Sequence, residues 1–254
     1  MTDGAWLFAR YAYAPNKLGF CGPPESATLA AAGSEPAAGV EAVNEQAVRA
    51  AARRFSGAWH YLVVLAELAG IDDPLDRRVV ESYWLGGGLN DAVDGEEFGR
   101  RLLDRIGPQA GHYWSHLTPD LLPEAAADHG FHVFGVYPWT RLLGRGPLDP
   151  PMTVLDGCRI RPAVVRAREG DRITVSARRL TWEGAALALG EPATGEVPVA
   201  VDGLSFVPDA APGEVVALHW DWLCGRLTPD QAADLDKNTL RRIDITNERL
   251  AREH

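Results

Sequence analysis

The spacing of apolar residues changes in the middle of the chain, and this change constrains the fold more than any other feature. Up to about residue 128, apolar side chains recur at three- and four-residue intervals, which is the period of an amphipathic helix. Glycine and proline, which end helices, interrupt these segments at Gly86-Gly-Gly88 and Gly107-Pro108. The first half is therefore predicted to be helical. Its clearest helical segments are 47–55, 58–69, 79–85 and 98–106.

The second half has the short, turn-bounded runs of an antiparallel sheet. Residues 160–168 and 172–178 are separated by Glu-Gly-Asp, and a further turn is expected at Trp182-Glu-Gly184. Glycine-containing turns between such runs are typical of β-hairpins. The sequence therefore predicts a series of strands joined by tight turns.

A boundary between the two halves is expected near residues 145–151, because residues 144–151 have the sequence Gly-Arg-Gly-Pro-Leu-Asp-Pro-Pro, which is typical of a linker. The β-branched and aromatic residues 132–138 before it predict extended chain. Thr228-Pro229 supplies an N-cap and a first-turn proline for a C-terminal helix. We therefore predict an α+β protein, with a mainly helical domain over 1–147 and a small antiparallel β-barrel with a C-terminal helix over 148–254.

Composition excludes several classes of partner. The chain has 25 lysines and arginines against 35 acidic residues and a formal charge of −10, whereas nucleic-acid binding depends on neutralising phosphates with basic side chains. No stretch approaches the ~20 apolar residues of a membrane span, and the N-terminus lacks the features of a signal peptide. We expect a cytoplasmic protein that binds neither nucleic acid nor membrane. Its three cysteines cannot all pair and are interpreted as thiols.

Two residues of the second half can act as metal ligands. Cys158 begins Cys-Arg-Ile-Arg-Pro, and His219 ends Gly-Glu-Val-Val-Ala-Leu-His. If these segments are the first and last strands of the barrel, the thiol and the imidazole converge on one face, which Asp221 would share as an acceptor for the imidazole N–H. A thiolate and an imidazole together suit a transition metal such as iron. The structural alternative is a buried cysteine and a histidine bonded to a backbone carbonyl.

Both segments resemble the HypC/HupF family, the small β-barrel chaperones of nickel–iron hydrogenase maturation. That family opens with Met-Cys-x-x-x-Pro and closes with a Gly-Asp-x-Val-x-Val-His strand that leads into a helix; Cys158-x-x-x-Pro162 and Gly213 to His219 stand in these places. The resemblance covers about residues 152–252. It implies that Cys158 and His219 carry an iron fragment for a hydrogenase-type protein partner. The whole chain, with its Arg-Tyr-Ala-Tyr-x-Pro-Asn opening, also looks like an uncharacterised actinobacterial family associated with hydrogenase genes.

The N-terminal half offers a different chemistry. Cys21 lies in Gly-Phe-Cys-Gly-Pro, where the glycines leave the backbone free to expose the thiol. A cysteine nucleophile needs a base, and the candidates are His112 and His116, four residues apart on one helix face, together with His129 and His132. The alternative function is therefore an enzyme that acts on a small molecule, with Cys21 as nucleophile or the histidines in acid–base chemistry or as metal ligands. Local packing of these side chains is the structural interpretation.

Four further side chains are candidates for ligand contacts. Arg159 and Arg161 can hold an anionic group through forked hydrogen bonds, with solvated strand arginines as the alternative. Trp220 is expected to alternate with its neighbours along a strand and to cap a pocket or meet a partner. The aromatic residues around Trp139 would line a cleft between the domains. No Gly-x-Ser-x-Gly, His-Glu-x-x-His or Cys-x-x-Cys motif occurs, which removes the commonest hydrolase and zinc-ribbon interpretations.

Overall fold

The computed structural model describes residues 3–24, 26–33, 44–106 and 116–253. Its helices are α1 (Asp3–Lys17), α2 (Ser26–Gly33), α3 (Glu45–Arg53), α4 (Ser56–Ala69), α5 (Arg77–Leu85), α6 (Gly95–Ile106), α7 (His129–Phe131), α8 (Asp149–Cys158) and α9 (Pro229–Glu253). Short helical turns cover Gly88–Asp91, Pro119–Glu124, His132–Val136 and Pro138–Leu142. The strands are β1 (Arg161–Glu169), β2 (Arg172–Glu183), β3 (Ala186–Pro198), β4 (Val215–His219) and β5 (Trp222–Arg226). The mixed α+β class predicted from the sequence is confirmed.

The helical segments predicted in the first half correspond to α3, α4, α5 and α6. The side chains of Asn44 and Asp76 cap α3 and α5 by accepting from backbone amides of the first turn. Gly86 ends α5 with a φ of 77°, as the glycine run predicts. A Cβ at Gly86 would also overlap the side-chain amide of Asn238 in α9. Glycine at this position therefore both ends one helix and lets another approach it.

The strands form one open antiparallel sheet in the order β3-β2-β1-β4-β5. Both predicted hairpin turns are present, because Glu169 pairs with Arg172 and Glu183 pairs with Ala186. The prediction of a closed barrel is wrong. Closure requires the two edge strands to share a hydrogen-bonded ladder, and no such ladder joins β3 to β5 in the part of the chain that the structure describes.

Two local predictions near the middle of the chain are also wrong. Residues 132–138, predicted to be extended, form a π-helical turn over His132–Val136 and lead into a 3-10 turn that begins at Pro138. The Asp128 carboxylate accepts from the Phe131 amide at 2.8 Å just before this turn. A short apolar run does not distinguish a buried helical turn from a strand. The predicted linker 144–151 contains the start of α8, where prolines occupy the first turn. Proline is favoured there because the first amides of a helix need no intrahelical acceptor.

One apolar cluster connects the helices to the sheet. It contains residues of α1, α4 and α5 together with residues of β1, β2, β4 and β5. The ring centroids of Tyr13 in α1 and Trp222 in β5 are 4.7 Å apart, and those of Tyr11 and Trp84 are 5.9 Å apart. Buried side chains on both sides of the predicted 147/148 boundary therefore contact each other.

The C-terminal helix α9 begins at the predicted cap. The Thr228 hydroxyl accepts from the Gln231 amide at 3.2 Å, and the Gln231 side chain accepts from the Thr228 amide at 2.9 Å, which is a capping box. Two buried ion pairs attach the helix to the rest of the protein: Arg242 to Asp128 at 2.9 Å, and Arg249 to Glu124. No helix in the described ranges is both long and apolar enough to span a bilayer.

Candidate functional site

Cys158 and His219 lie on neighbouring segments, but not on the first and last strands as predicted. Cys158 is the final residue of α8, and His219 ends the fourth strand. The Trp220 amide donates to the Gly157 carbonyl at 2.9 Å, which places the two segments side by side. The predicted alternation of Trp220 along a strand is wrong, because Trp220 and Asp221 form a two-residue turn with φ values of 53° and 57°. Left-handed backbone at both turn positions matches the twist of a hairpin.

The His219 ring is fully buried and is oriented by the backbone. Its Nδ1 lies 2.8 Å from the carbonyl oxygen of Tyr11, and a carbonyl can only accept, so Nδ1 carries the proton and Nε2 the lone pair. Nε2 has no hydrogen-bond partner among the described residues. Burial lowers the His219 pKa well below its usual value. Asp221, the predicted acceptor for this ring, instead pairs with Arg161 and Arg179.

The Cys158 thiol is buried in an apolar cluster. The side chain is 3% exposed, and Phe20 and Trp220 pack against this cluster. These two rings are stacked, with centroids 4.3 Å apart and planes 17° apart. Burial raises the pKa of Cys158 to about 12. The thiol is therefore protonated at neutral pH and separated from solvent.

Three histidine rings lie together in the core. The centroids of His129 and His219 are 5.3 Å apart, and those of His129 and His132 are 6.1 Å apart. His129 Nε2 lies 3.0 Å from the Cys158 carbonyl, to which it donates, and its Nδ1 lies 3.3 Å from the Tyr83 hydroxyl. Burial lowers the pKa of His129 to about 4 and that of His132 to about 3. In the ranges described, no three His, Cys, Asp or Glu side chains are arranged to hold a metal ion.

Cys21 is the most accessible of the three cysteines. It lies in the turn after α1, between Gly19 and Gly22, whose φ values are 80° and 74°. The side-chain amide of Asn16 donates to the Cys21 carbonyl at 2.7 Å and holds this turn. Cys21 opens onto a groove of about 220 Å³. The groove is lined by Gly19, Phe20, Cys21, Gly22, Pro23, Arg54, Ser56 and Gly57.

Gly57, in the first turn of α4, brings Cys21 and His132 close together. A Cβ at Gly57 would lie 3.6 Å from Cys21 Sγ and 3.3 Å from His132 Nε2. A side chain at this position would therefore contact both the thiol and the imidazole. Although Cys21 is partly exposed, burial of the thiol raises its pKa to about 12. The resting pair therefore consists of a neutral thiol and a neutral imidazole.

The arginines predicted to bind an anion are buried rather than solvated on a strand. Arg159 is 3% exposed and Arg161 is 1% exposed. Arg159 pairs with Asp156 at 3.0 Å, and Arg161 pairs with Asp221. The sequence contains no motif that marks Asp156 as a partner of these arginines. Its carboxylate also accepts from the Leu180 amide and from Arg179. Only the approach of β2 to α8 gives it these partners.

Of the remaining candidates, Trp139 and His116 do not line the groove at Cys21. Trp139 is partly buried in the turn Pro138–Leu142 and packs on the apolar cluster that includes Cys158. His116 lines a separate cavity near the end of α9, and His112 lies outside the described residues. Among the candidate bases that the structure describes, His132 lies with Cys21 next to Gly57. The sequence contains no local signal for this contact.

The fold and the site define an α+β protein whose most accessible thiol lies beside a buried imidazole. The chain belongs to the DUF6390 family, described as a family of unknown function, whose model matches residues 1–253. No curated protein and no solved structure matches the chain.

Proposed function

We propose that the protein is an enzyme in which Cys21 attacks an electrophilic small molecule and His132 accepts the thiol proton. The observation that supports this proposal is the placement of Cys21 Sγ and His132 Nε2 around Gly57, next to a groove of about 220 Å³. A thiol nucleophile requires a base in its vicinity. The other two cysteines are buried, at 3% and 0% exposure.

The charge state of the pair determines how the residues would act. Because burial raises the Cys21 pKa and lowers the His132 pKa, the pair does not exist as a thiolate and an imidazolium before the reaction. His132 would act as a general base while the sulfur–carbon bond forms. In the tautomer whose Nδ1–H donates to the Tyr61 hydroxyl, 3.4 Å away, Nε2 can receive the thiol proton. The resting thiol is expected to react slowly until a ligand fills the groove.

Alkylation by iodoacetamide tests this proposal without knowledge of the substrate. The sulfur of Cys21 bonds to carbon, iodide leaves, and the thiol proton passes to His132 and then to solvent. General bases contribute about 10²–10⁴-fold, so His132→Gln should slow the reaction at Cys21 by at least about tenfold, while the buried control Cys224→Ser should leave it unchanged. Mass spectrometry identifies the modified residue, and thermal melting checks that each variant is folded.

An equal rate of Cys21 alkylation in the wild type and in a folded His132→Gln variant would contradict the role of the imidazole. Gly57→Ala provides a second comparison, because its Cβ would contact both groups and force at least one of them to shift. This variant should also lose the rate advantage while retaining both side chains.

A second candidate is the accessory role implied by the resemblance to the HypC/HupF chaperones, in which Cys158 and His219 bind an iron fragment as cargo for a protein partner. The observation in its favour is the His219 ring: Nδ1 donates to the Tyr11 carbonyl, and Nε2 lacks a partner in the described part of the chain. A backbone carbonyl on the second nitrogen is typical of metal-bound histidines. The Cys158 thiol would lose its proton on binding metal. Because Cys158 is buried, neighbouring side chains would have to move to admit the cargo.

Elemental analysis of protein purified anaerobically from its own host tests this second candidate. Iron should be present in the wild type and in the control Cys224→Ser, and absent from Cys158→Ser and His219→Ala, because a carrier with two protein ligands loses its metal when either is removed. Equal iron in folded ligand variants and in the wild type would exclude this pair as the site.

A further inference from the structure

The outer face of the sheet carries a groove that combines an apolar floor with arginine side chains. The groove lies between β1, β2, β4 and the first turns of α9 and has a volume of about 280 Å³. Val164 is central to the floor, since it pairs with Ser176 on one side and with Val215 on the other. The groove shares no lining residue with the groove at Cys21. It is lined by Arg159, Pro162, Ala163, Val164, Arg166, Ser176, Ala177, Arg178, Pro192, Val215, Ala232 and Asp236.

Arg159 provides a fixed guanidinium at this groove. Its Nε and Nη2 bond to the Asp156 carboxylate at 3.1 and 3.0 Å, and Nη2 also donates to the Arg178 carbonyl. Asp156 is shared with Arg179, which binds its other oxygen at 2.9 Å. Burial lowers the pKa of Arg159 to about 10, while the Asp156 carboxylate acts in the opposite direction. Arg159 is therefore a fixed part of the groove wall that is already paired with an acid.

Two more arginines give the groove an excess of positive charge. Arg178 donates through Nε and Nη2 to the carbonyls of Gly190 and Leu189 at 2.9 and 3.0 Å, so its guanidinium is held without an acidic partner among these contacts. Arg166 is exposed at the rim. Asp236 is the one carboxylate among the lining residues, and Arg159 is already paired with Asp156, so Arg166 and Arg178 stand against one acid in a chain of net charge −10.

We propose that this groove binds a small organic anion, with its apolar part on the floor around Val164 and its carboxylate against Arg166 and Arg178. Small-molecule sites combine an apolar lining with a few placed polar groups, and the planar guanidinium matches a carboxylate through forked hydrogen bonds. The site is separate from the thiol and can be occupied independently of the chemistry proposed there.

Calorimetric titration with hexanoate and benzoate tests the proposal on the full chain. Hexanol, which has no charge, and inorganic phosphate, which has no apolar part, are the matched ligands, and both should bind at least about tenfold more weakly. Arg166→Ala removes one charge-assisted contact and should weaken hexanoate binding about tenfold. Val164→Glu places a carboxylate on the floor and should abolish binding. The control Arg172→Ala, which removes an exposed arginine paired with Glu196 on the same sheet, should leave the affinity unchanged.

Absence of carboxylate binding at millimolar concentrations would overturn the proposal. Equal affinity of the wild type, Arg166→Ala and Val164→Glu for hexanoate would also overturn it, because the ligand would then bind elsewhere. Phosphate binding as tightly as hexanoate would show that the floor contributes nothing and would reject the amphipathic ligand.

Discussion

Acidification to pH 5 should destabilise the protein strongly, because three histidines are buried in their neutral form. From the usual value of 6.5, burial lowers the pKa of His129 to about 4 and of His132 to about 3, and it moves the pKa of His219 in the same direction. The unfolded chain therefore binds protons more readily than the folded chain. Stability is complete above the unfolded pKa of 6.5 and is lost as the pH falls towards the folded values.

The size of the effect follows from these pKa values. Each unit of pKa difference corresponds to about 1.36 kcal/mol, and pH 5 lies about 1.5 units below the unfolded pKa of histidine. His129 and His132 should each cost about 2 kcal/mol at pH 5, and His219 adds a cost of the same sign. Typical domains have about 5–15 kcal/mol of net stability, so the loss is a large fraction of the total. The carboxylates with lowered pKa, such as Asp73 and Asp76, lose their stabilising effect only below the usual value of 3.8.

Urea unfolding followed by tryptophan fluorescence between pH 7.5 and 5 measures this loss. The uptake of close to three protons on unfolding corresponds to about 4 kcal/mol per pH unit once the unfolded histidines are charged. His132→Gln should reduce the proton uptake on unfolding by about one. This comparison requires that the denaturant dependence of the unfolding free energy stays unchanged. An unfolding free energy that differs by less than about 1 kcal/mol between pH 7.5 and pH 5 would refute the placement of neutral histidines in the core.

Three further predictions concern stability and thiol access. Gly86→Ala should destabilise the protein by more than the roughly 1 kcal/mol typical of point variants, because the φ of 77° is left-handed and the new Cβ would overlap Asn238 of α9. A melting temperature equal to that of the wild type would contradict this contact. Thr228→Ala should cost about 1 kcal/mol through loss of the capping box, measured by urea unfolding, whereas Thr228→Ser should cost less. A thiol-specific reagent should modify Cys21 first and slowly, and the two buried cysteines only after denaturation, so rapid labelling of all three in native protein would be inconsistent with the structure.

Several predictions from the sequence hold because they depend on local chemistry. The helical segments follow from a period of three to four residues, the C-terminal helix begins at Thr228, and both hairpin turns occur where glycine follows a strand-like run. Each depends on residues close together in the chain. The mixed α+β class follows from the order of these elements.

The wrong predictions depend on contacts between distant segments. Strand patterning does not show whether the edge strands meet, so the pattern predicts a barrel where the sheet is open. The pattern places Cys158 on a strand, whereas Cys158 ends α8. It also places Trp220 on a strand, whereas Trp220 lies in a turn. Composition alone did not distinguish a proline-containing helix start from a linker.

By itself, the sequence determined the types of element, their approximate ends and the residues with reactive side chains, because amphipathic period, capping and turn chemistry act over a few residues. Only the tertiary structure decided which of those side chains meet. Packing brings Cys21 from the turn after α1 and His132 from the turn after α7 into contact distance of Gly57, and it leaves Cys158 buried in an apolar cluster. Such contacts depend on how several elements fill one core, and no local pattern records that arrangement.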